Sequence, residues 1–97
     1  MRIRISGHSM YPAYRDGDVV EVDEHAYDVA PPSEGDVVVA LHPFKADVHI
    51  VKRVRSVEPD GRLFLVGDSP LESSDSRGFG ALDPARIVGK VIGKSDD

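Results

Sequence analysis

The chain has 97 residues, a net charge of −5 and an isoelectric point near 5.2, which leaves room for one domain, residues 1–97, and opposes a phosphate-binding surface. It contains no cysteine, so disulfide frameworks, thiolate metal sites and cysteine nucleophiles are excluded. No stretch approaches the roughly 20 consecutive apolar residues of a bilayer span, and Met1 to Ile5 lacks the apolar run of a secretory signal. The expectation is a soluble, cytoplasmic protein with no membrane anchor in this chain and no nucleic-acid partner.

The first informative segment is Gly7-His8-Ser9-Met10-Tyr11-Pro12. Gly before and Pro after the serine predict a backbone-constrained turn that presents a hydroxyl at a fixed angle, with backbone N–H groups free to face a developing oxyanion. An ordinary loop serine is the plainer reading. Arg15-Asp16-Gly17-Asp18 then reads as a turn, followed by a strand over Val19–Val22. Pro31 to Gly35 is a second turn region, and Asp36–Leu41 a second strand.

The third predicted strand runs from Val48 to Val57. In period-2 alternation Val48, Ile50, Lys52 and Val54 share one face, so Lys52 is the single charge in an apolar row. Burying a lysine disfavours the ammonium and lowers its pKa from about 10.4 toward neutrality, which turns the amine into a general base. The alternative is an edge strand whose lysine reaches water.

Glu58-Pro59-Asp60-Gly61 predicts a hairpin loop into a strand over Leu63–Val66. Leu71 to Gly80 is polar and rich in Ser, Asp and Gly, and is expected to be a loop held by its own hydrogen bonds. Asp83-Pro84-Ala85-Arg86 reads as one helical turn with Asp83 as N-cap, a last strand covers Ile87–Ile92, and Lys94 to Asp97 is expected to fray. No helical periodicity persists over ten residues, so the fold class is mainly β, an antiparallel arrangement with little helix.

His8, His25, His42 and His49 match no metal-ligand spacing, and no acid is placed to complete a Ser-His-Asp triad. Neither metal nor cofactor is expected.

Taken in order, Ser9-Met10-Tyr11-Pro12, Gly17-Asp18, Gly35-Asp36, Val51-Lys52-Arg53-Val54 and Gly67-Asp68 through Ser73, Asp75, Ser76 and Arg77 resemble the succession of boxes in signal peptidase I. Each box alone is a weak signal; their order over most of the chain is specific. The resemblance implies a compact serine peptidase fold with Ser9 as nucleophile and Lys52 as base. It further implies that Ser73 orients the Lys52 amine, that Asp75 and Arg77 form a supporting ion pair, and that Gly7, Ser9 and Met10 border the oxyanion or substrate. A serine found two residues before the nucleophile in some members is here Gly7, so the oxyanion must be held by backbone or another group. Ala13-Tyr14 and Ser69-Pro70 also depart from the pattern.

The segment Leu41-His42-Pro43-Phe44 and the short insertions look most like the peptidases that mature nickel-type superoxide dismutases. That implies trimming of the N-terminal extension of a nickel superoxide dismutase precursor, a protein substrate. The alternatives are a signal peptidase catalytic domain acting on secretory preproteins and, from another class, a self-cleaving regulatory module. The absence of a predicted helix-turn-helix and the acidic balance weigh against the last.

Overall fold

The structure, a computed structural model, describes residues 1–70 and 74–95 of the chain. Strands β1 (Arg2–Arg4), β2 (Val19–Asp23), β3 (Val37–Leu41), β4 (His49–Val57), β5 (Leu63–Val66) and β6 (Ile87–Lys94) form one antiparallel sheet in the order β1-β2-β6-β3-β4-β5. The mainly β expectation holds, and each predicted strand is present within two residues of its expected ends.

The central position of β3 explains its sequence. Flanked by β4 and β6, it must be covered on both faces, and such strands read as continuous apolar runs instead of alternating ones. Val37 and Val39 pack on one face with Ile5, Met10, Val20, Val22 and Val91. Val38 and Ala40 pack on the other with Val54, Leu63, Leu65 and Leu82. Full burial of an aliphatic side chain of this kind contributes about 1.5–3 kcal/mol, so β3 joins two cores through one short strand.

Two elements depart from the sequence reading. β1 was not foreseen, because Arg-Ile-Arg is too short to carry a period. It forms because β2 offers an edge: the Met1 ammonium donates to Val22 O at 2.8 Å, the Val22 N–H donates to Met1 O at 2.7 Å, and the Ile5 N–H donates to Asp18 O at 2.7 Å. Within the expected loop 71–80, Ser76–Phe79 is instead a helical turn, α1. Asp75 caps it by accepting the Arg77 N–H at 3.0 Å, which satisfies a donor that a helix start otherwise leaves open. The turn at Pro84–Arg86 is a 3-10 helix capped by Asp83, as expected.

The outer edge of β5 is closed. Leu63 exchanges backbone hydrogen bonds with Leu82, both 2.8 Å, the Leu65 N–H donates to Ser76 Oγ at 2.8 Å, and the Gly67 N–H donates to Asp75 Oδ2 at 2.9 Å. An unpaired strand edge invites association; here α1 and the Leu82 segment cover it. The same contacts tie residues 74–79 to the end of β5, beside Ser9.

Candidate active site

Ser9 lies in the excursion between β1 and β2, where the backbone is held by its own bonds. The Gly17 N–H donates to Ile5 O at 2.8 Å, the Gly7 N–H donates to Asp16 Oδ1 at 2.8 Å, and the Tyr14 N–H donates to Met10 O at 2.9 Å. Gly7 has φ of 84°, a left-handed conformation that favours glycine at this point. Met10 is only 1% exposed and anchors the turn in the core.

A second segment locks Ser9 from behind. The Ser69 N–H donates to Ser9 O at 2.8 Å, and Gly67 approaches so closely that a Cβ there would sit 2.7 Å from Ser9 O and 3.2 Å from Ser9 Cβ. Gly67 is in turn held by Asp75, which is fully buried. Burial alone would raise the Asp75 pKa; the Arg77 guanidinium, 2.6 Å away, with the Gly67 and Arg77 N–H groups, outweighs this and holds it below the ordinary 3.8. Asp68 receives Nε and Nη2 of Arg53, each at 2.8 Å, while Arg53 Nη1 donates to Gly35 O at 2.8 Å. Such a two-pronged pair fixes orientation as well as contributing energy. It connects β4, the Gly35 turn and the segment carrying Gly67.

Lys52 lies on β4 opposite Val38 of β3, between Ile50 and Val54, and is 5% exposed. The apolar row is as predicted over Ile50–Val54; Val48, at the mouth of the hairpin, is exposed instead of sharing it. Lys52 is therefore no edge-strand lysine. Ser9 and Lys52 line the same two cavities, of about 100 and 180 Å³. Arg4, Ile5 and Met10 complete much of the smaller one, and Gly7, His8 and Ser74 much of the larger. Ser6 and Ile50 line both.

Of the residues expected from sequence, Gly7, Ser9, Met10 and Lys52 thus meet at the cavities, and Asp75 and Arg77 pair behind Gly67. Ser73 lies outside the described residues. Sequence reasoning missed Arg4, Ser6, Ile50 and Ser74 as cavity walls; for Ile50 the strand period offered a signal, since it shares the face of Lys52. A larger groove, about 370 Å³ between Tyr27, Pro31 and Pro84, brings together no nucleophile and base. Chemistry, not volume, singles out the cavities at Ser9. Among the described residues no group of three or more His, Cys, Asp or Glu side chains could hold a metal ion, and no helix is long and apolar enough to cross a membrane.

The sequence model of the family described as "Signal peptidase, peptidase S26" matches residues 1–60 and 55–94. Mitochondrial inner membrane protease subunit 1 of Xenopus tropicalis is 32% identical over 105 residues, a span covering 89% of this chain and 63% of that protein. The subunits of the same name from Mus musculus and Schizosaccharomyces pombe are 29% and 31% identical, over 95% and 92% of this chain and 67% and 69% of theirs. The chain spans less than two thirds of the length of the Xenopus relative. With a matching model over nearly its whole length, the chain belongs to the signal peptidase family, peptidase S26.

Proposed function

We propose that the protein is a serine endopeptidase that removes N-terminal extensions from protein precursors, with Ser9 as nucleophile and Lys52 as general base. The observation that carries this reading is the convergence of a hydroxyl in a locked turn and a 5% exposed lysine on the same cavities. The base step requires a neutral amine, and a lysine shielded from water is the kind of group that can supply one.

In the reaction, Ser9 Oγ bonds to the scissile carbonyl carbon while its proton passes to Lys52 Nζ, and the carbonyl electron pair moves to oxygen. Collapse breaks the C–N bond, and the Lys52 ammonium returns the proton to the leaving amine. Water then attacks the ester; Lys52 takes the water proton and hands it to Ser9 Oγ as the acid is released. The Ser9 N–H serves the oxyanion. Gly67 and Asp75 act by holding the Ser9 backbone.

The inner membrane protease relatives favour precursors of the secretory-preprotein kind over a nickel superoxide dismutase precursor. The latter reading rests on the segment Leu41-His42-Pro43-Phe44. Incubating the protein with one precursor of each kind and identifying new N-termini by mass spectrometry separates them. Cleavage of the secretory preprotein, lost in Ser9→Ala and Lys52→Ala, is the expected result. Cleavage of the nickel precursor alone reverses the substrate preference. Equal cleavage by wild type and both variants overturns the dyad.

A further inference from the structure

We propose that the groove of about 370 Å³ beside β6 docks a proline-rich segment of a partner protein that carries Lys or Arg. The groove shares no lining residue with the cavities at Ser9 and Lys52, and the inference does not depend on the peptidase reading.

One wall comes from the connection between β2 and β3, the other from Pro84 and the first residues of β6. The first wall is held in shape without a guest. The Tyr27 hydroxyl donates to Asp36 Oδ2 at 2.8 Å, the same oxygen accepts the Ser33 N–H at 3.1 Å, and Lys90 Nζ lies 3.7 Å from Asp36 Oδ1. A preformed groove costs a ligand less ordering than one built on binding.

The lining selects the guest. Pro31, Pro32 and Pro84 have no backbone N–H, so these walls offer a poor ladder to an added β-strand. A polyproline II segment needs no ladder and packs by its side chains against aromatic and apolar surface. Tyr27 and Ile87 supply such surface, and Val29, 99% exposed, adds an apolar side chain that the core does not use. Glu24 and Asp28 belong to the lining, whereas no Lys or Arg does. Glu24 has no ion pair among the described residues, and the Asp28 carboxylate meets only the exposed His25, at 3.0 Å. Nearby cations are turned elsewhere, Lys90 to Asp36 and Arg86 to His42 O. An apolar groove with unmatched negative charge complements proline and apolar residues next to Lys or Arg.

The test titrates isotope-labelled protein with end-blocked peptides of sequence Pro-Pro-Leu-Pro-Arg-Arg, Pro-Pro-Leu-Pro-Glu-Glu and Gly-Ser-Gly-Ser-Arg-Arg, followed by NMR. The first is expected to shift the amides of Val29, Ile87 and Val88 while those of Ser9 and Lys52 stay in place, and to bind more weakly as salt rises. The second and third should each bind roughly tenfold more weakly. Glu24→Lys combined with Asp28→Lys should cost a similar factor, and Val29→Ser roughly threefold. Thermal unfolding checks that the variants are folded; if the double variant is not, Val29→Ser and the peptide comparison decide. Absence of shifts at these amides, a control peptide that binds as well as the first, or wild-type affinity in the folded variants overturns the proposal. Shifts at Ser9 and Lys52 alone overturn it too, by placing the peptide elsewhere. So do shifts at the groove amides that grow with protein concentration without peptide, which assign the groove to a second copy of the chain.

Discussion

The turn that carries Ser9 and the β4 strand that carries Lys52 place these side chains by opposite means. Residues 6–12 have almost no ladder to rest on, so Ser9 is placed by discrete contacts: Asp16 on Gly7, Met10 in the core, and Ser69 and Gly67 against the Ser9 carbonyl. Lys52 needs no such devices, because β4 is paired on both sides by β3 and β5 and its register decides which residue faces inward. A position set by register is robust to local change, since a slip would turn a whole strand inside out. A position set by separate contacts is lost when any of them is removed.

The largest effects should come from Lys52, the proposed base. Lys52→Met keeps a long apolar side chain in the row of Ile50 and Val54 while deleting the base, so peptidase activity should fall by roughly a thousandfold. Denaturant unfolding of the same variant shows whether the fold is kept. Ser9→Ala combined with Lys52→Met should be no worse than either alone, as expected for groups acting as one unit.

Removal of Asp75 should come next. Asp75→Ala leaves the buried Gly67 N–H without its acceptor and removes the carboxylate to which Arg77 donates, a loss of about 3 kcal/mol by thermal or urea unfolding. Activity should fall as well, since Gly67 backs Ser9. The pH dependence has a definite sign. The folded Asp75 pKa lies below the unfolded value, so its stabilisation is fully present above about pH 4 and disappears as pH falls through the depressed folded pKa. Asp75→Asn should flatten that part of the acid unfolding curve.

Gly67→Ala tests the turn by addition instead of removal. Its Cβ would meet the Ser9 carbonyl at 2.7 Å, and backbone on both sides cannot yield cheaply. A destabilisation of about 2 kcal/mol is expected, with a disproportionate fall in kcat read from steady-state kinetics. Unchanged kinetics would show that Ser9 does not depend on this contact.

His42 gives a smaller effect, outside both regions. It is buried, its Nδ1 accepts the Phe44 and Lys45 N–H groups at 3.0 and 3.1 Å, and its ring meets Phe44 and Phe79 edge-on. Burial, then the charges of Lys45 and Arg86, lowers its pKa below 6.5. The neutral ring's contribution is therefore complete above pH 6.5 and is lost as pH falls through the folded value. The protection factors of the Phe44 and Lys45 amides, measured by NMR hydrogen exchange against the intrinsic rate at each pH, should fall over that window, while the β4 amides around Lys52 stay protected.

Much of this protein was legible from its residues alone. Period-2 alternation around Lys52, the apolar run of β3 and the Gly, Pro and Asp turns report local conformational preference and burial, which are properties of short segments. The ordered boxes pointed to Ser9, Lys52, Asp75 and Arg77. β1 and α1 escaped because three or four residues hold no period, and both form in answer to open donors on a neighbouring strand. The cavity walls at Arg4, Ser6, Ile50 and Ser74, and the closeness of Gly67 to Ser9, were decided by tertiary structure. They depend on sheet pairing and on the Arg53–Asp68 and Asp75–Arg77 links that bring remote segments together, and no local preference encodes which side chains will share a space.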